Sequence, residues 1–284
     1  MNSLNAPADI FIPDDKTEDE ALARVTHLGV GAHPDDLELL AGHAILECRQ
    51  KADGSFAGVV CTDGADGPRT GSFANSSPAE MKEIRRREQR TAAALGGYGL
   101  LVQLGYPSRD ILDCKNPALE QDLIRIVEAS RPRAVYSHNP ADKHDTHVAV
   151  IAALIRAIRW MKPEERPQKL YGCEVWRGLD WLDDKEKVVF EINGADPLLT
   201  SQLREHKSQL GGGRRFDAAF IGRLRANAAF QDPQAPGPAK LALFAMDLTP
   251  LISDNTLDLA DFVAGRIGRF QSDVIARIRK FQPY

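Results

Sequence analysis

The sequence predicts an α/β fold in which a mostly parallel sheet carries helices on both faces. Three observations support that expectation. Short apolar runs bounded by turn residues alternate with helical patterns through the first two thirds of the chain. The spacing between successive runs leaves room for one helix each, as a parallel sheet requires. The chain has 284 residues, 43% hydrophobic and 27% charged, enough for one large α/β domain with a sizeable core.

Residues 1–22 are polar and acidic with two prolines, and are expected to form an arm. Residues 23–284 are expected as a single domain, with a core over about 23–195 and an irregular C-terminal extension over about 196–284. Arg24–Ala32 reads as the first strand and Pro34–Lys51 as the first helix. Phe56–Cys61 is the second strand, followed by a Gly/Ser-rich loop over 62–77 that is too long for a mere connector. Ser77-Pro78-Ala79-Glu80 is a capping-box start, and Gly96-Gly97 a stop. Leu100–Leu104 is a third strand, Pro117–Ser130 a helix and Ala134–His138 a fourth strand. A helix from near His144 to Trp160 follows, then strands at Leu170–Trp176 and Lys187–Ile192.

Beyond Pro197 the pattern loosens. SQLREHKSQL is helical, GGGRRFD interrupts it, QDPQAPGPAK is a Pro-rich loop, and Leu241–Met246 suits a late strand. Asp258–Phe281 shows one apolar helical face, suited to packing on the domain or on a second subunit of a homo-oligomer.

Charge and composition narrow the partners. Lys+Arg 36 against Asp+Glu 40 gives a net charge of −4, which argues against nucleic acid or an anionic membrane as partner. No apolar run approaches membrane-spanning length, and the N-terminus lacks the basic and apolar regions of a secretory leader. Cys48, Cys61, Cys114 and Cys173 are dispersed, as expected of a reducing, cytoplasmic setting.

Two segments crowd chemistry at C-terminal strand ends, where α/β sheets bind ligands. GAHPDDLE, residues 31–38, puts His33, Asp35, Asp36 and Glu38 behind the first strand. HNPADKHDTH, residues 138–147, follows the fourth. First-turn acids are favoured by the helix dipole, but only by about 0.3–1 kcal/mol, which is modest for three carboxylates. A divalent metal on His33 and Asp36 accounts for the crowding by neutralising it. One histidine from His144 or His147 completes two histidines and a carboxylate, the catalytic zinc pattern, which also suits ferrous iron. Taken alone, a histidine pair at a helix start also serves as ordinary exposed polar residues. His27, His43, His138 and His206 are left unassigned.

These motifs, with TDGADG, RRREQRTAAALGG and LGYPSRD between them, make residues 23–160 resemble the LmbE/PIG-L family of zinc-dependent de-N-acetylases. The resemblance implies a Rossmann-like, LmbE-like fold and hydrolysis of a linear amide, the N-acetyl group of an amino sugar or glycoconjugate. It implies zinc on His33, Asp36 and His147, Asp35 as general base, and His144 stabilising the tetrahedral intermediate. Arg85, three residues before Glu88, matches a family arginine near substrate hydroxyls or phosphate, although RRREQ also suits a solvated helix face. Asp110 is a second candidate for a sugar-hydroxyl contact. Hydrolysis of another amide, or sugar binding without catalysis, are the competing functions.

One residue departs from the family pattern. Its second motif carries an aspartate where this chain has Thr146, so the carboxylate that would tune His144 is missing, with Asp142 and Asp145 nearby. We expect altered pH dependence and retained activity. The pH–rate profile of Thr146→Asp should diverge from that of the wild type. Superposition of the two would show that position 146 does not tune His144.

Overall fold

The computed structural model describes residues 4–5, 8–192, 196–231 and 240–282. Among these, eight strands form one sheet: β1 (Asp9–Phe11), β2 (His27–Gly31), β3 (Phe56–Thr62), β4 (Leu100–Tyr106), β5 (Ala134–His138), β6 (Lys169–Cys173), β7 (Lys187–Glu191) and β8 (Ala242–Asp247). Their order is β1-β4-β3-β2-β5-β6-β8-β7. The central run from β4 to β6 is parallel, while β1 and β8 are antiparallel additions.

The helices are α1 (Glu18–Ala23), α2 (Asp36–Leu40), α3 (Gly42–Gln50), α4 (Pro78–Gly96), α5 (Ser108–Leu112), α6 (Ala118–Ser130) and α7 (Asp145–Trp160). After these come α8 (Asp196–Glu205), α9 (Lys207–Leu210), α10 (Phe216–Phe230), α11 (Thr249–Ser253) and α12 (Leu259–Phe281).

The strands read as continuous apolar runs because both faces of the sheet are covered. Their side chains divide with period two. Ala57, Val59 and Cys61 of β3 and Leu100, Val102 and Leu104 of β4 enter the core shared with α6 and α7. Phe56, Val60 and Leu101 enter the opposite core, beneath α2, α3 and α8. The α4 capping box forms as the sequence implies, with Ser77 Oγ accepting from the Glu80 amide, and Gly97 ends the helix at φ 70°.

Several boundaries differ from the sequence expectation. The segment read as an arm adds β1 to the sheet edge, pairing Asp9–Phe11 with Gln103–Leu101, and also forms α1. The first helix is broken: Ala41 leaves helical geometry, and Gly42 abuts Leu199 so closely that a Cβ would lie 2.7 Å from it. The helix over SQLREHKSQL breaks at His206, whose side chain is drawn into the core. Most of QDPQAPGPAK, residues 232–239, lies outside the described residues. The helix α10, which sequence reading passed over, fills the stretch before it.

Chain order reverses at the centre of the sheet. From β2 the chain proceeds to β3 and β4 on one side, then returns to place β5 on the other. The crevice beyond the C-terminal ends of β2 and β5 is thus a topological switch point. Gly31, the last residue of β2, sits under the turn into α2, where a Cβ would lie 2.9 Å from Asp36 Cβ. Gly31→Ala should therefore displace Asp36 and weaken metal binding by about 10- to 100-fold, the range for misoriented ligands. Chelator competition reads this, and unchanged affinity would show that the turn yields without moving Asp36.

Candidate metal centre

The switch point gathers side chains more than a hundred residues apart. His33 and Asp36 leave β2, His138 ends β5, His144 is the N-cap of α7, and His147 lies in the first turn of that helix. His33 Nδ1 is 3.2 Å from Asp36 Oδ2 and 3.1 Å from His147 Nε2, and His147 Nε2 is 3.4 Å from Asp36 Oδ2. Tetrahedral coordination with bonds of about 2.0–2.1 Å has ligand–ligand edges of about 3.3 Å, so this donor triangle fits a divalent metal. The donor chemistry agrees, since two imidazoles and one carboxylate converge on one point. Burial presses the Asp36 carboxyl upward, but His147, His138 and His33 together hold it well below the usual carboxylate range.

Asp35 turns the other way, and its backbone is strained. Its φ of 102° lies in the left-handed region, which costs a non-glycine residue about 1–3 kcal/mol and persists only where neighbours enforce it. The face of α4 supplies those neighbours. Gln89 Oε1 accepts from the Asp35 amide at 2.9 Å, and Arg85 Nη2 donates to the Pro34 carbonyl at 2.6 Å. Arg85 Nη2 also lies 3.5 Å from Asp35 Oδ1. Burial pushes the Asp35 carboxyl up to about 6, against the pull of Arg85 and with the help of Asp36.

His138 joins the cluster but is poorly placed as a ligand. Its Nε2 is 3.4 Å from Asp36 Oδ2, yet that lone pair already accepts the Ala32 amide at 2.9 Å. Burial, reinforced by the adjacent His147, takes His138 down to about 4, so it stays neutral beneath the donor triangle. Asp142 Oδ1 accepts from the His144 amide at 3.2 Å and lies 3.7 Å from His147 Nδ1, facing that ring and not His144. The His144 ring is held by Thr146, whose Oγ1 is 2.8 Å from His144 Nδ1 and 2.9 Å from His33 Nε2. Burial, with His33 and His147 alongside, keeps His144 below the usual histidine range.

The other two predicted residues stand differently. Arg85 borders the cavity, but it is 4% exposed and bonded within the protein. Asp110 is outside the cavity wall, to which its neighbours Ser108 and Leu112 contribute, and its carboxylate meets Arg109 at 3.5 Å. The loop 62–77 borders the cavity through Gly64, Asp66, Gly67 and Pro68, and Thr70 Oγ1 fastens it to the Gly211 carbonyl.

Sequence reasoning missed the support behind this site. Glu38 is fully buried and accepts from Tyr98 Oη at 2.8 Å and Gln89 Nε2 at 2.9 Å, with His206 Nε2 at 3.1 Å. Burial alone would raise Glu38, but His206 and Tyr98 bring it below its usual range, and the same pairing raises His206 despite burial. Gln89 was legible as the residue one turn beyond Arg85 on the same helix face. His206 carried no local signal.

This pair is favourable while Glu38 is ionised and His206 protonated. Its contribution fades as pH rises through the raised His206 value, and as pH falls through the lowered Glu38 value. His206→Ala strands a buried carboxylate and should cost about 3–5 kcal/mol. Urea unfolding near pH 6 measures this, and a loss below about 1 kcal/mol would remove the pair as a main support.

Residues 28–158 match the family described as PIG-L: GlcNAc-PI de-N-acetylase. The uncharacterized deacetylase YaiS of Escherichia coli K12 is 29% identical over 157 residues, covering 51% of this chain and 77% of that protein. The N,N'-diacetylchitobiose deacetylase of Pyrococcus horikoshii superposes with a TM-score of 0.64 at 17% identity, covering 88% of this chain and 93% of its own. GalB, the 4-carboxy-2-hydroxymuconate hydratase of Pseudomonas putida KT2440, superposes at 0.60 and 17% identity, covering 79% and 96%. Fold likeness alone thus spans more than one chemistry, and the sequence match is what separates them. Residues 28–158, which hold every residue of the donor triangle, are thus similar to the PIG-L family of de-N-acetylases.

Proposed function

We propose that the protein is a zinc-dependent hydrolase that removes the N-acetyl group from an N-acetylated amino sugar or glycoconjugate. The observation that carries this reading is the donor triangle of His33, Asp36 and His147, of which His33 and Asp36 line one cavity together with Asp35. Zinc held there would supply Lewis acidity for the amide carbonyl and acidify a water molecule.

The chain's own residues then divide the proton work. Asp35, raised to about 6, is suited to take a proton from the attacking water at its free carboxylate oxygen and to return it to the departing amine. Arg85 and Gln89 fix its turn, so Arg85 acts through Asp35 as well as bordering the substrate space. Thr146 settles the tautomer of His144. With His33 Nδ1 turned to the donor triangle, the other ring nitrogen carries the proton and donates to Thr146 Oγ1. The threonine hydroxyl then donates to His144 Nδ1, leaving the His144 proton on Nε2. A neutral His144 in that form can donate to the developing oxyanion without first becoming imidazolium.

Acetate release from a panel of N-acetylated sugars tests the reading. Asp35→Asn should lose about 10²- to 10⁴-fold in rate while retaining about one zinc per chain. His147→Ala should lose the metal itself. In the wild type the rate should fall as pH drops through a value at or below about 6, since Asp35 must be ionised and a nearby cation lowers it. Full activity in Asp35→Asn would remove it as the base. Absence of turnover on every amide, with metal bound, would leave a binding protein.

A further inference from the structure

Above the donor triangle lies a cavity of about 740 Å³, within the range of sites for drug-sized ligands. A single N-acetylhexosamine leaves most of it unfilled. Part of the cavity wall comes from the C-terminal extension, chiefly through α10. That helix packs an apolar face on the core and turns one edge of it to the cavity. Ile221, Leu224 and Ala228 are buried in the protein core. Phe216, Ala219, Phe220 and Arg223, spaced i, i+3, i+4 and i+7, face the cavity. Phe216 packs at the edge of the second core beside Phe220, and Phe216 and Ala219 keep accessible surface where they line the cavity.

Trp176 completes that wall from the segment after β6. It is 47% exposed although it lines the cavity, and its ring centroid is 6.4 Å from that of His144. Its position is fixed from two directions. The amides of Trp176 and Arg177 donate to Asp142 Oδ2 at 3.0 and 3.4 Å, and Arg223 Nη1 donates to the Val175 carbonyl. The backbone that carries the indole is thus tied both to the carboxylate behind His147 and to Arg223 of α10. Aromatic surface left to water within a concave site gains from burial against a ligand with a matching face.

We propose that the sugar carries an apolar, ring-bearing aglycone, which lies between Trp176 and the Phe216–Phe220 stripe. This rests on the deacetylase reading for the acetamido end and names what is attached to it. Lys143 and Arg214 also border the cavity, so an anionic aglycone is the competing chemistry.

Calorimetric titration of zinc-loaded Asp35→Asn separates the cases without turnover. The ligands are N-acetylglucosamine, its phenyl β-glycoside and N-acetylglucosamine 1-phosphate. The phenyl glycoside should bind at least about tenfold more tightly than the free sugar. Trp176→Ala and, separately, Phe216→Ala in the same background should cut that advantage below about threefold while leaving free-sugar affinity unchanged. No advantage for the phenyl glycoside, equal weakening of both ligands, or a preference for the 1-phosphate would each overturn the proposal. Wild-type acetate release is measured beside it. A binding preference without any acetate release would remove the deacetylase reading and leave the aglycone site standing.

Discussion

Three carboxylates within four residues, Asp35, Asp36 and Glu38, are taken largely out of water, and each is given its own positive or proton-donating partner. Buried carboxylates without such partners are too costly to keep ionised. Asp36 faces the histidines and the metal position. Asp35 faces Arg85, and Glu38 faces His206 with Tyr98 and Gln89. The three pairings point in different directions, so one short turn holds three carboxylates with three separate sets of partners, as the proposed metal, base and anchoring roles require. The left-handed geometry at Asp35 is what divides its carboxyl from that of Asp36.

The partners come from elements far apart in the chain, so the site is also a point of assembly. One face of α4 contributes Arg85, Glu88 and Gln89, all buried. Arg85 and Gln89 grip the turn after β2, while Glu88 accepts from the Ser208 amide and hydroxyl at 2.8 and 2.6 Å. With His206 on Glu38, the C-terminal extension is thereby joined to the residues that hold Asp35. The extension then continues into α10 and forms one wall of the cavity. Chemistry and cavity wall share a single polar network, and the network explains why α4 needs charged residues on a buried face.

The histidines show how hydrogen bonding sorts similar groups. Four imidazoles lie within a few ångströms of Asp36 or of one another. His138 has its Nε2 lone pair occupied by a backbone amide, His144 is engaged by Thr146, and His33 and His147 turn nitrogens toward the carboxylate. Replacing an acceptor-only carboxylate at position 146 with a hydroxyl changes what His144 can hold. A threonine both accepts and donates, so it can link His33 and His144 in one direction.

Much of the fold was legible because its signals are local. Apolar runs, the Ser77–Glu80 capping box and the Gly97 stop are set by neighbours within a few residues, and each appears where the sequence places it. The two motif segments were legible for the same reason, since their crowding is visible in ten residues or fewer. What the sequence could not decide depends on contacts across long separations. The break at Ala41 is accompanied by close packing of Gly42 on Leu199, and the burial of Arg85 depends on the turn that it grips. The role of Glu38 requires His206, 168 residues away. By itself the sequence determined the central strands and most of the helices between them, and the residue types able to bind a metal. Only the tertiary structure decided which imidazole keeps a free lone pair and which carboxylate meets which cation, because those choices rest on burial and distance, and no local pattern encodes either.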